Sequence, residues 1–220
     1  MQLKHQALVD LARGIEPLWT SDEELDYLAE AALTARRIVE IGSWHGRSAK
    51  VLAAASPGQV YCVDIFVNGS EAAFRRNLAR ELHGGKVWTF QASSEIAAPW
   101  VRAALGWLPL DLIWVDDGHR YEDVRRDIEA YYDLLRPGGV FLGHDYYAGN
   151  EVARAVHDLL PCYTLPCGTI WRWQKPMPMP EGLDDCPAVW ELCCGLPALP
   201  GLCSEPTCPV CGHVECKGHK

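Results

Sequence analysis

From Ile38 to Trp173 short apolar runs alternate with amphipathic ones, and this alternation restricts the chain more than any other feature. Ile38–Ile41, Val60–Ile65, Lys86–Gln91, Leu112–Val115, Val140–Leu142 and Thr169–Trp173 read as strands. Arg47–Ala55, Glu71–Leu82, Ile96–Leu105 and Tyr121–Leu135 read as helices. The last has Val124, Ile128, Tyr131 and Leu135 on one face, acids at its start and a stop at Pro137-Gly138-Gly139. The pattern predicts an α/β fold: a Rossmann-like, doubly wound, mostly parallel sheet with helices on both faces. Such a sheet binds its ligand beyond the carboxyl ends of its strands, near the switch in strand order.

Residues 1–37 lie outside this alternation and read as a helical flank or lid. Leu25, Leu28, Ala32 and Leu33 have helical spacing after a cap at Ser21 or Asp22. Residues 38–174 form the α/β domain. Eight prolines between residues 175 and 220 rule out a long helix or strand there, which leaves an irregular Pro/Cys-rich tail.

Twenty basic and 29 acidic side chains give a net charge of -9, a field that repels phosphate backbones and anionic lipid. That argues against nucleic acid or a membrane surface as the main partner and favours a small-molecule acceptor. The N-terminus lacks an apolar signal core, and no segment approaches the 18 or so consecutive apolar residues of a membrane span. The expectation is a soluble, cytoplasmic protein.

Of ten cysteines only Cys62 precedes residue 160. In a reducing compartment the crowd at the C-terminus reads as a zinc site rather than a disulfide framework. Cys208-x2-Cys211 followed by Cys216-x2-His219 offers four soft ligands for tetrahedral Zn2+, with Cys193, Cys194, Cys203 and His213 as substitutes. Such a module could hold a protein partner or cover the active site.

Three groups of residues fall where the first strands meet the following loops. Glu40-Ile41-Gly42-Ser43-Trp44-His45-Gly46-Arg47-Ser48 joins a strand to a helix. Its glycines permit a sharp turn and close approach of a ligand, and the helix start offers free N–H groups. The G-x-x-x-G spacing differs from the G-x-G-x-x-G of a dinucleotide loop, which argues against NAD. Asp64, followed by Ile65, ends the next strand about twenty residues on, where an acid can accept hydrogen bonds from both hydroxyls of a ribose. A third group, Asp116-Asp117-Gly118-His119-Arg120-Tyr121-Glu122, is followed after a helix by Gly143-His144-Asp145-Tyr146, at the ends of neighbouring strands.

The loop and Asp64 together resemble the class I S-adenosylmethionine-dependent methyltransferases, over roughly Arg36 to Trp173. By that resemblance Glu40, Gly42, Ser43, Gly46, Ser48, Asp64, Ile65 and Asp116 hold the cofactor, and Ser93 and Ser94 supply adenine contacts. The wording from Asp116 to Glu122 and from Gly143 to Tyr146 is similar to the metal-dependent O-methyltransferases of sugars and other small hydroxylated molecules. The resemblance implies Mg2+ or a similar cation on Asp116, His144 and Asp145, with His119 as general base and Asp116 beside it. Asp117-Gly118 reverses the expected Gly-acid order.

The chemistry agrees. A hydroxyl is a poor nucleophile at neutral pH and needs a base or a cation to become one. Oxygen ligands suit magnesium, calcium or manganese. Trp44, Tyr146 and Tyr147 are candidate aromatic walls. Two other readings remain open: a non-catalytic platform that docks a partner through its tail, and a methyltransferase of nitrogen or protein side chains. Related enzymes also associate through N-terminal helices, which makes a homo-oligomer an expectation.

Overall fold

The computed structural model describes residues 3–178. Cys208, Cys211, Cys216 and His219, the zinc ligands expected in the tail, lie outside the described residues. Two helices come first, α1 (Gln6–Asp10) and α2 (Asp22–Ala32). Then β1 (Arg37–Ile41), α3 (Arg47–Ala55) and β2 (Gln59–Asp64) alternate, followed by α4 (Ser70–Asn77) and α5 (Ala79–His83). The alternation continues through β3 (Val87–Gln91), α6 (Ser94–Ala104), β4 (Leu110–Val115), α7 (Tyr121–Tyr132) and β5 (Leu135–Gly143). Helix α8 (Glu151–Leu159) and the hairpin β6 (Thr164–Cys167) and β7 (Ile170–Gln174) close the described part.

One seven-stranded sheet runs in the order β3-β2-β1-β4-β5-β7-β6. Strands β1 to β5 are parallel, and β7 is antiparallel to both β5 and β6. The order reverses between β1 and β4, so the ends of these two strands form the crevice that such sheets offer to ligands.

Alternation along the strands divides the core between two layers. Val39, Ile41, Ile113, Val115 and Phe141 face α6, α7 and α8. Ile38, Leu112, Trp114 and Leu142 face the side covered by α2 and α3. Because buried strands present both faces to helices, they read as nearly continuous apolar runs. Helix α2 belongs to this core: Leu25, Leu28, Ala29 and Ala32 are fully buried. Ser21 and Glu24 form a reciprocal capping box at its start.

Several element ends depart from the sequence expectations. The helix expected over Glu71–Leu82 is two, because the chain breaks at Leu78, which is buried beside Gly46. The helix expected to reach Leu135 ends at Tyr132. Leu135 pairs with Leu110 of β4, and Pro137-Gly138-Gly139 lie within β5 at a register shift, where a missing N–H is tolerated. Ile65 lies just past β2 and is half-exposed. Helix α8, capped by Asn150 through its bond from the Ala153 N–H (2.8 Å), and strand β6 were not anticipated. Strand β6 is only four residues long, whereas α8 carries Val152, Ala155, Val156 and Leu159 at helical spacing behind its Asn150 cap, a legible signal. No helix among the described residues is long and apolar enough to cross a membrane.

If α2 is part of the core, Leu28→Ala should lower stability by about 2–5 kcal/mol. Urea denaturation reads this directly. A loss below ~1 kcal/mol, typical of a surface change, would show α2 to be a detachable flank.

Candidate active site

The ends of β1, β2, β4 and β5 surround a cavity of about 560 Å³. Gly42, Ser43, Ser48, Asp64, Ile65, Asp116, His119, His144 and Asp145 all line it, so most of the predicted site residues share one space.

The turn after β1 has a physical explanation that differs in part from the expectation. Gly42 and Gly46 take positive φ values of 88° and 84°, as a sharp turn requires. A Cβ on Gly42, however, would lie 2.2 Å from the Asp116 carbonyl oxygen, and one on Gly46 would lie 2.1 Å from Leu78 Cδ1. Protein atoms, rather than a ligand, therefore forbid a side chain at both. Gly46 does not line the cavity.

Asp64 sits at the mouth of this turn and accepts the Trp44 N–H at 2.7 Å and the Phe66 N–H at 2.5 Å, one on each oxygen. Each oxygen keeps a second acceptor position for a ligand hydroxyl. Glu40 is fully buried behind the loop and does not line the cavity. Ser48 Oγ donates to it at 2.5 Å and the Cys62 thiol at 3.5 Å. Burial pushes its carboxyl up to about 7 despite these bonds. Its part is to brace α3 against β1 and β2.

Ser93 and Ser94 are not brought to the cavity. Ser93 caps α6 by position, and the Ser94 hydroxyl donates to Asp127 at 2.5 Å, deep in the α6–α7 contact. The Ser94 hydroxyl thus already has a buried partner. Tyr146 likewise leaves the cavity, bonding Tyr163 through its hydroxyl at 2.6 Å, whereas Trp44 and Tyr147 line it.

Asp116 follows β4, and His144 and Asp145 follow β5. One donor atom from each comes within 4.8 Å of the others, a set of two carboxylates and an imidazole suited to a divalent cation. His144 Nδ1 lies 3.3 Å from Asp116 Oδ1 and 3.4 Å from Asp145 Oδ2. Burial opposes a charge on His144, but Asp116, Asp145 and Glu24 outweigh it and push its pKa up to about 12. His119 Nε2 sits 2.5 Å from Asp145 Oδ2, and this bond raises His119. The two histidines in turn hold Asp145 well below the usual carboxylate range. Burial raises Asp116, and it also raises Asp117, with Asp64 and Asp123 adding to the latter.

Two contributions escaped the sequence reading. The first is the cavity wall made by Glu16, Pro17, Trp19 and Thr20. Buried Arg47 holds this segment in place through the carbonyls of Thr20 (3.1 Å) and Ala12 (2.9 Å) and the carboxylate of Asp22 (2.9 Å). Trp19 stands 5.9 Å from Trp44, which stacks on His45 at 5.0 Å. The second is Glu24, whose only trace in the sequence is the Ser-x-x-Glu capping box. Burial works against its charge, but bonds from His144, Thr169 and Ser21 keep it well below the usual range.

Strand order, crevice and site define the class I methyltransferase fold, the architecture of the S-adenosylmethionine-dependent enzymes. A family described as "Methyltransferase domain" matches residues 39–146. Solved structures of similar fold include the O-methyltransferase TomG of Streptomyces achromogenes, in complex with S-adenosylmethionine. It is 19% identical with a TM-score of 0.60, over 78% of this chain and 91% of that one. An O-methyltransferase of Bacillus cereus in complex with S-adenosylhomocysteine is 17% identical with a TM-score of 0.56, over 76% and 88%. An rRNA methylase of Streptococcus thermophilus is 16% identical with a TM-score of 0.53, over 70% and 94%. These likenesses establish the fold and leave the acceptor to the site. No curated protein matches the sequence.

The Ser94–Asp127 contact makes a prediction of its own. Burial pushes the Asp127 carboxyl from its ordinary 3.8 to about 7, so folding favours the protonated form. Its contribution to stability is greatest below the unfolded pKa and falls as pH rises through the folded one. Asp127→Asn should therefore raise the melting temperature more at pH 8 than at pH 5. Equal shifts at both would contradict a buried, protonated Asp127.

Proposed function

We propose that the chain is an S-adenosylmethionine-dependent O-methyltransferase of hydroxylated small molecules, assisted by a divalent cation such as Mg2+. The observation that carries this reading is the convergence of Asp64 and the Asp116–His144–Asp145 cluster on one cavity at the switch in strand order. The cavity volume falls within the ~300–1,000 Å³ typical of small-molecule sites. Net charge and the acids around the mouth oppose a nucleic acid acceptor, although rRNA methylases share the fold.

When bound, the cofactor supplies an electrophilic methyl group and the cation lowers the pKa of a coordinated hydroxyl. Asp64 would accept the ribose hydroxyls, and the backbone from Gly42 to Trp44 lines the same cavity. Asp116, His144 and Asp145 would hold the cation. His119, at the rim, would be the base for the acceptor hydroxyl: its Nε2–H is engaged with Asp145, which leaves Nδ1 as the nitrogen free to take the proton. Its pairing with Asp145 favours the protonated ring that results. Trp19, Trp44 and Tyr147 offer flat walls to the acceptor. Alignment supplies the remainder of the rate, because displacement at the methyl group demands little else of the protein.

Calorimetric titration with S-adenosylhomocysteine should show saturable binding, and Asp64→Ala should weaken it about 10–100-fold for the loss of hydrogen bonds to a charged acceptor. No binding at millimolar ligand would end the reading. With a vicinal diol that the enzyme methylates, EDTA should stop turnover and Mg2+ restore it. Turnover indifferent to chelator would remove the cation from the account.

A further inference from the structure

We infer that Glu24, from the N-terminal helix, is a positioning residue for the cation site, orienting two of its three ligands at once. The inference rests on the metal reading above.

A capping box requires little of its glutamate. Here Glu24 Oε2 serves the cap, accepting Ser21 N–H at 2.9 Å and Ser21 Oγ–H at 2.8 Å. A cap of this kind works at the surface, yet Glu24 is 5% exposed, and a buried carboxylate costs several kcal/mol unless its partners compensate. The cap does not involve Oε1. That oxygen accepts the Thr169 N–H at 2.9 Å and the Thr169 hydroxyl at 3.1 Å, and it lies 3.3 Å from His144 Nε2. His144 Nε2 is buried and makes no well-aligned hydrogen bond among the described residues, so the Glu24 carboxylate is its charged neighbour rather than one partner among several. The turn between β6 and β7 is shaped around the same oxygen: a Cβ on Gly168 would fall 2.4 Å from it.

Two connections run from Oε1 to the cation ligands. The direct one is the 3.3 Å ion-pair contact, which favours a proton on His144 Nε2 and leaves Nδ1, the nitrogen facing Asp116 and Asp145, as the donor to a cation. The other passes through Thr169, whose hydroxyl donates to Glu24 and accepts the Asp145 N–H at 3.3 Å. Asp145 needs that support, since it holds a left-handed backbone with φ 58°. A carboxylate behind a ligating histidine fixes its tautomer and raises its basicity. Glu24 thus makes α2 part of the site, although it lies well before the methyltransferase match begins at residue 39.

The test is Mn2+ binding to the full chain, read from the electron paramagnetic resonance signal of the free ion, beside S-adenosylhomocysteine affinity and melting temperature. Glu24→Gln, which keeps the volume and an acceptor for Ser21, should weaken Mn2+ about 10–100-fold, the usual loss for such supports. Affinity for S-adenosylhomocysteine should stay unchanged. Thr169→Val should weaken Mn2+ as well, and it keeps the question answerable if Glu24→Gln does not fold. Ser21→Ala, which releases the cap and leaves Oε1 alone, should lower the melting temperature without altering Mn2+ affinity. Wild-type Mn2+ affinity in folded Glu24→Gln or Thr169→Val would overturn the inference, as would an equal loss in Ser21→Ala. Failure of the wild type to bind Mn2+ would overturn the metal reading and this inference with it, and it is told apart because it shows before any substitution.

Discussion

The backbone of β1 meets that of β4 just where both strands end, and the site is arranged around this contact. The Asp116 N–H donates to the Ile41 carbonyl at 2.8 Å, and the Asp116 carbonyl fills the space where a Cβ of Gly42 would stand. No other residue type fits without moving one strand against the other. The turn from Gly42 is thereby held against the acid that ends β4. On the other side Asp64 takes the Trp44 N–H, so β2 is tied to the same turn. The turn from Gly42, Asp64 and Asp116 are fixed relative to one another before any ligand arrives, the condition for catalysis by alignment.

Charge is the second constraint. Asp116, Asp145 and Glu24 surround one buried imidazole, and His119 adds a second on the rim. Such a cluster persists only if positive charge balances it. Protons on the two histidines do so in the protein alone. A divalent cation between Asp116 and Asp145 would do so while freeing His144 Nδ1 to coordinate, so the same electrostatic deficit that stabilises the protonated histidines also favours the metal.

The sequence made the strand ends legible because buried parallel strands are apolar on both faces, and a polar residue at the end of such a run stands out. Asp64, Asp116, His144 and Asp145 stand out in that way, and all four line the cavity. Ser94 shows the converse: position after a strand does not reveal that a hydroxyl already has a buried partner in Asp127. Gly46 looked like a ligand contact because its conformational need and a ligand's need leave the same residue. Glu24 and the wall from Glu16 to Thr20 depend on contacts with residues far along the chain, Thr169 and Arg47 among them, which local pattern cannot contain.

Diffraction from crystals grown with S-adenosylhomocysteine and Mn2+ examines the central claim, a common crevice for donor and cation, most directly. The account predicts ribose density against the Asp64 carboxylate and a manganese anomalous peak among Asp116, Asp145 and His144 Nδ1. Nucleoside density away from Asp64, or a peak that avoids this trio, would contradict it.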